Sequence, residues 1–191
     1  MDINERIARR LIQLREERGL TIEDLANRSA VSRAMISRIE RAESSPSATV
    51  LNKLSIGLGV LLPSLLGATG YREPRLQLRN PVASRRGQAE WQDPSTGYRR
   101  RTLTPTTANH AMQLSEVHFP GRATVTFDSA TGSGARQQLW MLRGQLEIRI
   151  GDEFTTISAG DCMAMTLDRA ITFHNRGSKE ARYLIAVMPS A

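Results

Sequence analysis

Arg33, Ala34 and Ser37 are the residues whose types and spacing carry the clearest chemistry in this sequence. Residues three and four apart are neighbours on a helix, so if SRAMISRIER is helical the three share one side near its start. An arginine fork can pair with O6 and N7 of guanine, a serine hydroxyl can donate or accept, and an alanine methyl can touch the thymine methyl. Each good bidentate pair discriminates between bases by about 1–3 kcal/mol. Thr21, Arg38, Arg41 and Ser44 are suited to phosphate contacts, which set register without reading sequence.

Such a helix must be held by others. Thr21 is a good N-cap and Asp24, three residues on, is a shortened capping-box acid, so a helix starts there with Ile22, Leu25 and Ala26 on one face. After Ser29-Ala30-Val31 a second cap, Ser32, opens the next helix, whose Met35, Ile36 and Ile39 can dock while Arg33, Ser37, Arg38 and Arg41 face outward. Upstream, Ile3, Ile7, Leu11 and Leu14 form a helical stripe ending at Gly19. Downstream, Pro46-Ser47 opens a helix carrying Val50, Leu51, Leu54 and Leu58, and a further short helix begins at Pro63. Five helices in the first 67 residues, together with the string SRAMISRIERAESSPSATVLNKLSIGLGV, resemble the Cro/CI-like (xenobiotic-response-element) family of helix-turn-helix domains. The resemblance covers Glu5 to Leu66 and implies double-stranded DNA as a partner. Two residues depart from the family pattern. Ala30 stands where a turn glycine is usual and must tolerate positive φ, at about 1 kcal/mol, and Ile22 stands where glutamine is frequent.

The chain has 191 residues, a net charge of +7 and one cysteine, Cys162. One cysteine cannot staple a fold, which suits a reducing cytoplasm. No run of 18 apolar residues and no apolar signal region occur, so neither membrane insertion nor secretion is expected. The first 67 residues and the last 86 are nearly balanced in charge, and most of the positive excess lies between them, in Arg72, Arg75, Arg79, Arg85, Arg86 and Arg99 to Arg101. An arginine-rich linker over 68–87 would follow the helical domain of 1–67, and with Arg99 to Arg101 it could graze the DNA backbone.

From about residue 88 to the end, short β-prone segments alternate with turn residues: GYRRRTLTP, MQLSEVHFPG, ATVTFDS, the long run from Gln137 to Leu167 broken at Gly144, Gly151-Asp152 and Gly160-Asp161, then AITFHN and ARYLIAVM. This spacing predicts an antiparallel sandwich or barrel, and an α+β two-domain chain overall. Gly144, Gly160-Asp161 and Asn175 resemble the glycine framework of cupin domains, which are double-stranded jelly rolls. The resemblance implies metal-ligand slots at a His-x-His pair near residues 130–134, at 137 and at 171. Here those positions hold Ala130-Thr-Gly-Ser-Gly134, Gln137 and Ile171, so no catalytic metal and no cofactor are expected, and not an enzyme. His174 lies three residues from the slot, on the opposite strand face. His110 and His118 show no ligand spacing, and Cys162 alternates out of phase with Met163.

A barrel that keeps its shape without its ion can bind a small molecule. Gln137 and Ile171 should face inward, with Leu139, Met141, Met163 and Met165 by alternation, and Arg143 or Tyr183 as further polar anchors. The same set would equally serve as a dry core. Both halves in this order resemble cytoplasmic transcriptional regulators with a cupin sensor tail. The expectation is a repressor binding a palindromic operator as a homodimer, with a small-molecule effector in the barrel. A cupin isomerase or dioxygenase with an accessory DNA-binding head, and an antitoxin-like module that engages a protein partner, are the alternatives.

Overall fold

The computed structural model describes residues 2–66, 82–105, 112–129 and 134–188. The head consists of α1 (Ile3–Glu16), α2 (Ile22–Ser29), α3 (Arg33–Glu40), α4 (Ala48–Leu58) and α5 (Leu62–Leu65). Each of the first four begins at a residue whose side chain accepts a backbone N–H: Asp2, Thr21, Ser32 and Ser47. At Thr21 the capping box is complete, its hydroxyl taking the Asp24 N–H while the Asp24 carboxylate takes the Thr21 N–H. Ile7, Leu11, Leu25, Ile36, Ile39, Leu51 and Leu54 meet in a buried core. At Gly57 an added Cβ would lie 2.8 Å from the Ser29 Cβ. Only glycine therefore lets α4 lie this close to α2.

Among the described residues a 3-10 turn (Arg85–Gly87) precedes ten antiparallel strands: β1 (Glu90–Gln92), β2 (Arg99–Thr102), β3 (Gln113–Phe119), β4 (Thr124–Phe127), β5 (Arg136–Arg143), β6 (Gln145–Ile150), β7 (Glu153–Ser158), β8 (Cys162–Thr166), β9 (Ile171–His174) and β10 (Ala181–Met188). A six-stranded sheet has the order β1-β2-β3-β10-β5-β8 and a four-stranded sheet the order β4-β9-β6-β7. Two antiparallel sheets stacked in this way form the double-stranded β-sandwich expected of residues 88 onward. Gly144 makes the β5–β6 turn at φ +82, and a Cβ there would meet the Ala181 Cα at 3.0 Å.

The arginine run of residues 99–101 corrects the expectation of a basic connector that contacts DNA. It is β2, with Arg99 paired to Glu180 at 2.9 Å and Arg101 to Glu90 at 2.6 Å. Alternation turns the middle residue, Arg100, into the sandwich. Arg85 and Arg86 are exposed in the 3-10 turn. Arg72, Arg75, Arg79, His110 and residues 130–133 lie outside the described residues.

Head and barrel pack directly on each other. The Asp93 carboxylate accepts the Ala48 N–H at 2.8 Å, the Asn52 side chain donates to the Asp128 carbonyl at 3.1 Å, and the Thr49 hydroxyl donates to the Thr126 carbonyl at 3.3 Å. Helix α4 thus lies over β4 and the loop after it, at the mouth of the sandwich.

Candidate nucleic-acid interface and barrel cavity

The turn between α2 and α3 passes through Ala30, whose φ of 52 and ψ of 34 place it in the left-handed region, as expected where a glycine is usual. From there α3 presents Arg33, Ala34 and Arg38 to solvent, while Ile36 and Ile39 are buried beneath. Arg33 and Arg41 are exposed and each is tied to a neighbouring carboxylate. Arg33 pairs with Glu23 at 3.1 Å, and Arg41 forms a two-pronged pair with Glu43, both bonds 2.8 Å. Arg41 also donates to the Ser37 hydroxyl. The paired guanidinium pulls the Glu43 carboxyl below its ordinary value, chiefly through the hydrogen bond. Ser44 is half-buried, its hydroxyl 4.0 Å from the Met35 sulfur. Thr21 sits at the N-terminus of α2, its hydroxyl committed to the capping box. The face is thus an arginine-bearing helix surface on which Arg33 and Arg41 are held in place by Glu23 and Glu43 before any partner arrives.

A second site lies between the two domains. A cavity of about 60 Å³ is bounded on the barrel side by Arg100, Phe127, Asp128, Gln137, Leu167, Arg169, Ile171, Phe173, Ile185 and Val187, and on the head side by Asn52, Ser55, Val60, Leu61, Leu62 and Pro63. Of the eight residues expected in an effector pocket, Gln137 and Ile171 line it. Leu139, Met141, Met165 and Tyr183 are buried deeper in the sandwich and Met163 is half-buried. The Gln137 amide donates to the Met165 sulfur at 3.5 Å. Arg143 is exposed at the end of β5 and leaves the set, because the register shift between Arg182 and Tyr183 skips Leu142 and sets Arg143 opposite the outward-facing Arg182. Below the cavity, Tyr98, Phe119, Phe127, Phe173 and Tyr183 form an aromatic cluster, with Phe173 and Tyr183 stacked at 6.3 Å.

The donor set does not fit the metal that the resemblance to cupins implies. Gln137 and Ile171 occupy two of its slots, and His174 faces outward beside Glu147. Among the described residues no three His, Cys, Asp or Glu side chains converge. Cys162 is exposed on the outer face.

Arg100 was missed by sequence reasoning. It is 4% exposed, lines the cavity, and lies against the phenols of Tyr98 and Tyr183. Burial raises both phenols above their ordinary value, Tyr183 far above it, and the nearby guanidinium opposes the rise. The signal was the alternation Tyr98, Arg100, Thr102 within GYRRRTLTP, hidden by the charge on either side.

Residues 11–65 match a helix-turn-helix family. The chain is 23% identical over 176 residues to the HTH-type transcriptional regulator SutR of Escherichia coli (strain K12), covering 91% of this chain and 89% of that protein. Among solved structures it is similar to an HTH_3 family transcriptional regulator from Vibrio cholerae, with a TM-score of 0.76 at 19% identity over 99% of this chain and 98% of that one. A looser likeness, with a TM-score of 0.45 at 14% identity over 49% of this chain and 98% of the other, is to the cupin domain of an XRE family transcriptional regulator from Enterobacter cloacae. No helix among the described residues is long and apolar enough to cross a membrane.

Proposed function

We propose that this chain, a transcriptional regulator whose head is a Cro/CI-like helix-turn-helix domain, represses by binding a palindromic operator as a homodimer and is controlled by a small-molecule effector held in its barrel. Residues 1–67 read DNA, 68–87 connect, and 88–191 sense. The observation that carries the reading is the cavity itself, whose walls come from both domains. An occupant that fits one placement of α4 and α5 better than another must shift the head by its differential affinity for the two. The tight fit of Gly57 on Ser29 would pass a movement of α4 to α2, and so to the recognition helix.

Arg33, Ala34 and Ser37 read bases, while Thr21, Arg38, Arg41 and Ser44 hold phosphates. One such helix reads few base pairs, and two related by a two-fold axis read half-sites about 34 Å apart. The outer face of the six-stranded sheet supports dimerisation. Trp140 is 51% exposed there and stands in register between Leu184 and Cys162, with Leu114, Ala186 and Ala164 along the next row. The cavity walls are aliphatic and aromatic apart from Arg100, Gln137, Asn52 and Ser55, with Asp128 and Arg169 exposed at the rim. A lining with one buried charge and no buried carboxylate favours a sensor over an enzyme.

Selection of bound sequences from random duplex DNA, followed by sedimentation of the protein and its complex, tests this. A palindromic consensus and a dimer are expected, and Trp140→Arg should yield monomers with weakened operator binding. Recovery of no consensus, or a wild-type monomer on DNA, would overturn the reading.

A further inference from the structure

Among the described residues, eight buried side-chain polar atoms find no hydrogen-bond partner, and seven of them belong to the barrel. They belong to Trp91, Arg100, Thr102, Gln113, Ser115 and Tyr183. Strand pairing places all six on one surface. Trp91, Arg100 and Tyr183 fall in one row across β1, β2, β3 and β10, Thr102 and Ser115 pair in the next, and Gln113 follows one step along β3. This is the inward face of the six-stranded sheet. Buried polar groups are nearly always bonded, so such a concentration points to a partner that is not part of the chain.

Arg100 supplies the one buried charge among the described lining residues, since Asp128 and Arg169 are exposed at the rim and opposite in sign. A guanidinium cannot shed its proton in a protein, and burying it without a counter-charge is strongly unfavourable. Its Nε and Nη2 are the two atoms without partners. These form one edge of the guanidinium, the edge from which two parallel N–H bonds reach one carboxylate. Elsewhere in this chain the same two atoms are the ones that grip glutamates: Arg15 on Glu40, Arg41 on Glu43, Arg101 on Glu90 and Arg182 on Glu116. Arg100 alone among these five directs that edge inward, and no acidic side chain pairs with it among the described residues.

We propose that the cavity between barrel and head binds a small organic anion, its carboxylate or equivalent oxyanion held by the Nε–Nη2 edge of Arg100 and its apolar body against Ile171, Phe173, Ile185 and Leu61. The volume of about 60 Å³ holds about four to five water-sized groups. That suits a short-chain acid. A longer one must displace Leu61 and Leu62, and with them the head. This deepens the proposed sensing function and rests on it only for the consequence at DNA. The contact with Arg100 is a separate claim.

The test is titration of the full-length protein with acetate, propionate, butyrate, methanesulfonate, sulfate and phosphate, followed by calorimetry and thermal unfolding, in wild type, Arg100→Met and Arg100→Lys. At least one carboxylate or sulfonate is expected to bind wild type and raise its melting temperature. Arg100→Met should weaken that binding by about ten- to a hundredfold, and Arg100→Lys should recover little of it because an ammonium has no fork. Without anion, Arg100→Met should melt at or above the wild-type temperature, since it removes an uncompensated buried charge. A guanidinium that serves only the fold would lower it instead. Ile185→Phe, which fills the cavity and leaves Arg100 in place, should abolish binding in a folded protein. Binding of short acids but not sulfate or phosphate assigns a planar carboxylate, and the reverse assigns a tetrahedral oxyanion. No binding by any of the six, or equal binding by Arg100→Met, would overturn the proposal. Anion binding without any change in operator affinity would keep it and refute the sensing function. A neutral effector that changes operator affinity while no anion binds would do the opposite.

Discussion

The Asp93 carboxylate, at the end of β1, accepts the backbone N–H of Ala48 at the start of α4, 2.8 Å away. A residue of the barrel thereby completes the first turn of a helix in the head, where unpaired N–H groups and the helix dipole favour a negative charge. Its other oxygen accepts the Ser95 N–H at 2.7 Å and the Ser95 hydroxyl at 2.5 Å, fixing the turn into β2. One buried carboxylate therefore orders the chain just before Arg100 and anchors α4 over the cavity.

Asp93→Ala removes both functions. It is expected to lower stability by about 1–3 kcal/mol, the cost of leaving buried donors unmade. Denaturant unfolding followed separately by a far-ultraviolet helix signal and by Trp91 fluorescence should change from one shared transition to two. A single unaltered transition would show that Asp93 does not couple the domains.

On the DNA face, Arg33→Ala should cost about 1–3 kcal/mol at the selected operator and relax preference at one position of each half-site, whereas Arg41→Ala should weaken all sequences alike and reduce the salt slope by about 1. Glu43→Gln works in the opposite direction. It leaves Arg41 free of its two-pronged partner, so non-specific affinity should rise. Gel shifts at several salt concentrations measure all three, and identical slopes for Arg33→Ala and Arg41→Ala would refute the division between base and phosphate contacts.

Local signals made the head legible. Thr21 with Asp24, Ser32 and Ser47 are short-range caps whose consequences are complete within four residues, and each helix begins where its cap stands. The strand run was legible for the same reason, with glycines and Gly-Asp turns punctuating period-two patterns. The short β1 was not, because three residues carry too little pattern. What the sequence hid was the cross-chain assembly. Nothing near Asp93 announces a helix 45 residues upstream, and Arg100 looks solvated between two arginines until the partners of Arg99 and Arg101 are known. Arg143 was misplaced by counting alternation through a strand whose partner shifts register.

Glu116 gives the fold a pH dependence. It is almost wholly buried, which by itself would raise its carboxyl, but Arg182, Arg101 and His118 outweigh that and hold it below its ordinary value. A carboxyl with a lowered folded-state value contributes stability that is fully present above its unfolded value of about 4.3 and fades as pH falls through the folded one. Glu116→Gln should therefore destabilise the protein at pH 7 and flatten the acid limb of its stability profile. Melting temperatures from pH 3 to 7 test this, and parallel profiles for the two proteins would remove Glu116 as the cause.

Ala30 offers a stabilising change. Its left-handed conformation costs an alanine roughly 1–2 kcal/mol, whereas glycine adopts it freely and loses about 0.4–1 kcal/mol through the added freedom of the unfolded chain. The left-handed turns after α1 and α4 already use glycine, at Gly19 and Gly59. Ala30→Gly should therefore gain about 0.5–1 kcal/mol. The same exchange at Ala34, exposed within α3, should lose about 1 kcal/mol, since there glycine only weakens a helix. Denaturant unfolding of both variants decides the matter, and destabilisation at residue 30 would mean that the turn relies on the alanine methyl for packing.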